Sequence, residues 1–137
     1  MTATLTGKSV LVVDDDAEIV AALEIALAET GATVRTAADG NKAVELASST
    51  RPDLIVLDMM LPKRSGFLVL EKLQPRKVRG KRPFVIMITG NEGKRHEMYA
   101  RSLGVDEYLT KPFRMDRLIS TAERLLTSPE PSPEAQN

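Results

Sequence analysis

Three short apolar runs, each ending on an acid or a hydroxyl, constrain this chain more than any other feature. Val10–Val13 leads into Asp14-Asp15-Asp16, Leu54–Leu57 into Asp58, and Phe84–Ile88 into Thr89-Gly90. Apolar runs of this length without alternation fit strands covered on both faces. Ala32–Thr36 and Glu107–Thr110 are mixed in polarity, as edge strands are. Between the runs the apolar spacing becomes helical. Ile19, Leu23 and Leu27 lie four apart, with Gly31 as a stop. Ala43 and Ala47 follow the Asp39-Gly40 turn, and Phe67, Val69, Leu70 and Leu73 follow a Ser65 cap. Ala100 and Leu103 belong to a segment begun near Asn91 and stopped by Gly104, and Leu118, Ala122 and Leu125 mark the last helix. Five alternations of strand and helix predict an α/β domain. Three buried strands between two mixed ones predict a flavodoxin-like, doubly wound, five-stranded parallel sheet in the order 2-1-3-4-5, with helices on both faces.

Composition narrows the function classes. The chain has 137 residues, with 19 Lys and Arg against 19 Asp and Glu, so no global field draws it to nucleic acid or membrane. It has no cysteine, which excludes disulfides and thiolate metal sites. No apolar run approaches the roughly 20 residues needed to span a bilayer, and a first apolar stretch ending in acids makes a poor signal peptide. The expectation is a cytoplasmic protein. The predicted organisation is a lead at 1–7, a domain at 8–127, and a Pro-rich tail at 128–137 too polar to offset its ordering entropy.

Residues past the carboxyl ends of parallel strands share one crevice. That rule gathers Asp14, Asp15, Asp58, Thr89 and Lys111. Mg²⁺ prefers oxygen ligands and one or two carboxylates, so Asp15 and Asp58 can bind it directly and Asp14 through water. A bound cation keeps Asp58 ionised, and an ionised carboxylate is a nucleophile toward phosphorus. Phosphoryl transfer depends on positioning and charge neutralisation, which Lys111 and Thr89 can supply.

At these residues the chain resembles the response-regulator receiver domain. The resemblance rests on Asp14-Asp15, Leu57-Asp58-Met59-Met60-Leu61-Pro62, Thr89-Gly90, and the run from Leu103 through Tyr108 and Lys111-Pro112 to Phe113. It covers residues 8 to 127. It implies that Asp58 is the phosphoacceptor and that a sensor histidine kinase or a histidine phosphotransfer protein is the donor. It implies that Asp14 and Asp15 are the acidic pair, that the Met60 backbone carbonyl meets Mg²⁺, and that Lys111 binds phosphate. It also implies that Thr89 and Tyr108 are a switch pair, that the Lys111-Pro112 peptide is cis, and that Met60 and Asn91 tune phosphoryl lifetime. Output then passes through the face of the fourth helix, fifth strand and fifth helix. No output segment is legible after Leu126, so a stand-alone switch acting by protein contacts is expected, as a monomer or a weak phosphorylation-dependent dimer.

Other readings have their own signals. A magnesium-dependent phosphohydrolase would carry an acid two residues after its nucleophile, where this chain has Met60. A phosphate-independent scaffold would bind its partner equally well after Asp58→Ala. Asp16 reads as a helix cap. His96, the only histidine, reads as solvated. Leu68 falls off its helix's apolar stripe. The basic stretch from Gln74 to Arg82 reads as a solvated turn; docking to an acidic partner or anionic lipid is its functional alternative, and nucleic acid is disfavoured for want of a reading element.

Overall fold

The computed structural model describes residues 3–61, 66–73, 77–90 and 94–127, with Lys94 and Arg95 described by backbone only. Five strands form one parallel sheet in the order β2-β1-β3-β4-β5. They are β1 (Ser9–Val13), β2 (Thr33–Ala37), β3 (Leu54–Asp58), β4 (Phe84–Thr89) and β5 (Glu107–Thr110). Each connection carries a helix: α1 (Ala17–Glu29), α2 (Gly40–Thr50), α3 (Gly66–Leu73) and α4 (Lys94–Ser102), and α5 (Met115–Thr127) follows β5. The expected Ser65 cap, the start near Asn91, Pro62, Arg76 and the tail at 128–137 lie outside the described residues.

The sheet order follows from burial. β3 and β4 are buried at every position, whereas β2 and β5 at the edges are mixed. Successive strand side chains point to opposite faces, so the apolar runs split into two cores. Val10, Val12, Val56, Ile86 and Ile88 pack under Leu23 and Leu27 of α1 and Leu118, Ala122 and Leu126 of α5. Leu11, Val13, Ile55, Leu57, Val85 and Met87 pack under Ala43 of α2, Val69 and Leu70 of α3, and Ala100 of α4.

Some details differ from the sequence reading. The fully buried residue near the end of α5 is Leu126; Leu125 is only partly covered. Residues 118, 122 and 126 lie four apart on one face of α5, and Leu125 stands at the flank of that face, partly covered by the same core. Leu5, assigned to a lead segment, is fully buried, and its N–H donates to the Thr30 carbonyl at 2.8 Å. A single leucine carries no periodicity, so only packing reveals it. Leu68 is exposed, as its position off the stripe predicts. Among the described residues two peptide bonds are cis, Lys111-Pro112 and Arg82-Pro83; the sequence reading named only the first.

Candidate functional site

The site forms where β1, β3, β4 and β5 end. Register aligns Val13 with Leu57, Asp58 with Ile88, and Thr89 with Thr110. Asp14 follows β1 directly, Asp58 and Thr89 are the last residues of their strands, and Lys111 is the first past β5. Parallel pairing in this register therefore draws four distant segments to one end of the sheet.

Carboxylate oxygens of Asp14, Asp15 and Asp58 all lie within 4.8 Å of one another. Asp14 and Asp58 are buried, and Asp15 is exposed. Lys111 Nζ lies 3.3 Å from Asp14 Oδ2 and 3.6 Å from Asp58 Oδ2, joining the two buried acids. Backbone donors hold their remaining oxygens. Asp16 N–H donates to Asp14 Oδ1 at 2.9 Å, and Met60 N–H donates to Asp58 Oδ1 at 3.2 Å. Asp16 caps α1 through Glu18 N–H and Ile19 N–H, so the third acid of the triplet serves the helix and not the site.

Electrostatics single out Asp58. Burial raises its pKa from an ordinary 3.8 to about 6; the Met60 N–H opposes this, the neighbouring Asp14 adds to it, and Lys111 pulls it back. Two buried carboxylates beside one ammonium leave negative charge uncompensated, and a divalent cation is the natural complement. The donor set is all oxygen, which suits Mg²⁺.

Thr89 is fully buried. It shares a side-chain hydrogen bond with Tyr108, whose phenol is pushed up by burial and drawn back by that bond. Tyr108 is half-buried against the core face that holds Met87. The Met60 side chain is 65 % exposed beside the acids.

Three supporting residues escaped the sequence reading. A Cβ on Gly66 would meet the Asp58 carbonyl oxygen at 2.5 Å, so glycine lets α3 begin directly on the backbone that carries the site. Asp106 is buried and accepts from Gly80 N–H at 2.6 Å, Val85 N–H at 2.8 Å and Lys77 Nζ at 2.9 Å. Lys77 departs from the solvated-turn reading of the basic stretch, which holds for the exposed Arg79 and Lys81: its side chain is 2 % exposed, in an ion pair with Asp106. Burial lowers its pKa, and Asp106 opposes that. Nothing in the local pattern of charges separates Lys77 from its solvated neighbours. His96, read as solvated, is half-buried, with Nδ1 enclosed and without a hydrogen-bond partner among the described residues.

A five-stranded 2-1-3-4-5 sheet with this acid cluster defines a class of phosphoryl-accepting signalling domains. The chain belongs to the response regulator receiver domain family, which matches residues 10–123. It is 37% identical over 134 residues to the alkaline phosphatase synthesis transcriptional regulatory protein PhoP of Bacillus subtilis (strain 168), covering 96% of this chain and 55% of that protein. It thus spans about half the length of the curated relatives it matches. Among solved structures, the Francisella response regulator 1452 receiver domain matches with a TM-score of 0.78 and 31% identity, over 87% of this chain and 96% of that one. The non-phosphorylated HemR receiver domain of Leptospira biflexa matches with a TM-score of 0.81 and 26% identity, over 91% and 98%. The family is one of signalling domains. Among the described residues, no helix is long and apolar enough to cross a membrane.

Proposed function

We propose that this chain is a phosphoacceptor switch in which Asp58 receives a phosphoryl group from the phosphohistidine of a partner kinase or phosphotransfer protein. The observation that carries this reading is the meeting of Asp14, Asp15 and Asp58 oxygens within 4.8 Å, with Lys111 bridging the two buried acids. Asp14, Asp15, Asp58 and the Met60 carbonyl would hold Mg²⁺. When bound, Mg²⁺ supplies positive charge that offsets the carboxylates and the transferring group.

The chain's own residues do the rest. Met60 N–H holds one Asp58 oxygen, which orients the carboxylate. An Asp58 oxygen forms a bond to phosphorus as the donor's phosphorus–nitrogen bond breaks, and the imidazole leaves with the electron pair. Lys111 Nζ, already within 3.6 Å of Asp58, neutralises one oxygen of the arriving group. The Thr89 hydroxyl donates to another. In doing so it gives up its bond with Tyr108, and the phenol is released to repack. The face of α4, β5 and α5 then favours a second arrangement, and the phosphoryl group shifts the population by contacting that arrangement better. Output passes to a protein partner on that face, in the cytoplasm.

Incubation with Mg²⁺ and a small acyl-phosphate donor tests the chemistry. Intact-mass measurement should show one phosphate adduct that is absent in EDTA and absent in Asp58→Asn. An adduct that persists without Asp58 refutes the assignment. Steady turnover of a generic phosphomonoester would favour a phosphohydrolase; Met60, where such an enzyme needs an acid, speaks against it.

A further inference from the structure

A second cleft lies at the opposite end of the sheet, under the amino ends of β3 and β4. Its volume is about 400 Å³, within the range of small-molecule pockets. Ser48, Arg51 and Arg82 supply its polar lining, and Ile55, Leu73 and Pro83 its apolar one. Such a mixture suits a ligand with one charged end and an apolar body.

Both arginines are held in unusual ways. Arg51 ends α2 in the left-handed region, at φ 46 and ψ 67, and is the only described non-glycine residue with positive φ. Glycine adopts that conformation without steric cost, whereas a side chain there is strained. Its guanidinium nonetheless has no hydrogen bond or ion pair among the described residues. Arg82 is fixed from two sides: Nη1 donates to Asp53 Oδ1 at 2.8 Å, and the guanidinium lies 5.6 Å from the centroid of the Phe84 ring. Asp53 is itself anchored by Ser9 N–H at 2.8 Å. Arg82 is thus preorganised, and both arginines line the same cleft as Ile55, Leu73 and Pro83.

From this arrangement we infer that the cleft lined by Arg51 and Arg82 binds a small organic anion, a phosphate or carboxylate head on an apolar body. The head meets the two guanidiniums and the Ser48 hydroxyl. The body lies on Ile55, Leu73 and Pro83. The site is distinct from the acid cluster, because Ile55 stands near the start of β3 and Asp58 ends it.

Phenyl phosphate and benzoate are suitable probes, with phenol as the neutral control. Each is titrated into the full chain in EDTA, following backbone amide resonances by NMR. The expected result is saturable binding of at least one anion, with shifts at Ser48, Ile55 and Arg82 and none from phenol. Arg51→Gly keeps the left-handed backbone and removes the guanidinium. It should weaken binding at least about tenfold, as loss of a charge-assisted partner does, and should leave the melting temperature within about 2 °C, since relief of strain offsets the added freedom of the unfolded chain. Arg82→Met keeps packing on Phe84 and should weaken binding as well. Shifts confined to Asp58 and Lys111, equal binding by Arg51→Gly, or no saturation with either anion would overturn the inference. A clear fall in melting temperature for Arg51→Gly without anion binding would overturn it too, and would make Arg51 a helix-end charge.

Discussion

Exchanging Asp58 for asparagine should stabilise the metal-free protein at neutral pH. Asp58 is 3 % exposed, and its pKa rises from 3.8 to about 6. The folded state therefore holds the Asp58 proton more tightly than the unfolded state does. Between those two values the native protein binds more protons, so stability falls as pH rises. The favourable contribution is whole below 3.8 and lost once pH passes about 6. The gap corresponds to about 3 kcal/mol of destabilisation at pH 7.5, and at pH 5 roughly half of it applies. Asparagine removes the charge but keeps an oxygen for Met60 N–H, and its amide can donate to Asp14. It gives up the attraction to Lys111 at 3.6 Å, so about 3 kcal/mol is the upper end. For a domain of this size that is a rise of about 10 °C in Tm. Urea and thermal unfolding of both proteins in EDTA, at pH 5 and pH 7.5, measure the difference. The gain should be larger at pH 7.5 and should shrink when Mg²⁺ is added, because the ion binds the folded wild type more tightly. A variant no more stable than wild type at pH 7.5, or a gain that grows toward pH 5, would refute the reasoning.

Other perturbations test the scaffold. Asp106→Ala strips a buried ammonium of its partner and two backbone N–H groups of their acceptor; urea unfolding should show a loss of about 3–5 kcal/mol. Gly66→Ala forces a methyl group against the Asp58 carbonyl and should cost about 1–3 kcal/mol while slowing acyl-phosphate labelling of Asp58. Lys111→Gln removes the cation that pulls the Asp58 pKa down, so carboxyl-carbon NMR should find Asp58 titrating at higher pH than in wild type. Leu5→Ala empties a fully buried position and should cost about 2–5 kcal/mol by chemical unfolding, which a dispensable lead segment would not.

Much of the architecture was legible because its causes are local. The runs at Val10, Leu54 and Phe84 are continuous because both sheet faces are covered, and the mixed runs at Thr33 and Glu107 fall at the edges for the converse reason. The site was legible because strand ends in a parallel sheet share one crevice, so Asp14, Asp58 and Lys111 could be placed together from order alone. Lys77 and Leu5 were not legible. Their burial depends on partners far along the chain, Asp106 for one and the core beneath α1 and α5 for the other. Arg51 in the left-handed region was equally hidden, since arginine gives no hint of positive φ.

By itself, then, the amino-acid order determined strand number, sheet order and the set of chemical groups at the carboxyl end, because hydrophobic periodicity and chain direction settle these together. Tertiary structure alone decided which charges are solvated and which are enclosed. Desolvation and ion pairing are properties of the packed surroundings, which is why Lys77 and Arg79, two residues apart in one basic stretch, end respectively in a buried ion pair and in water.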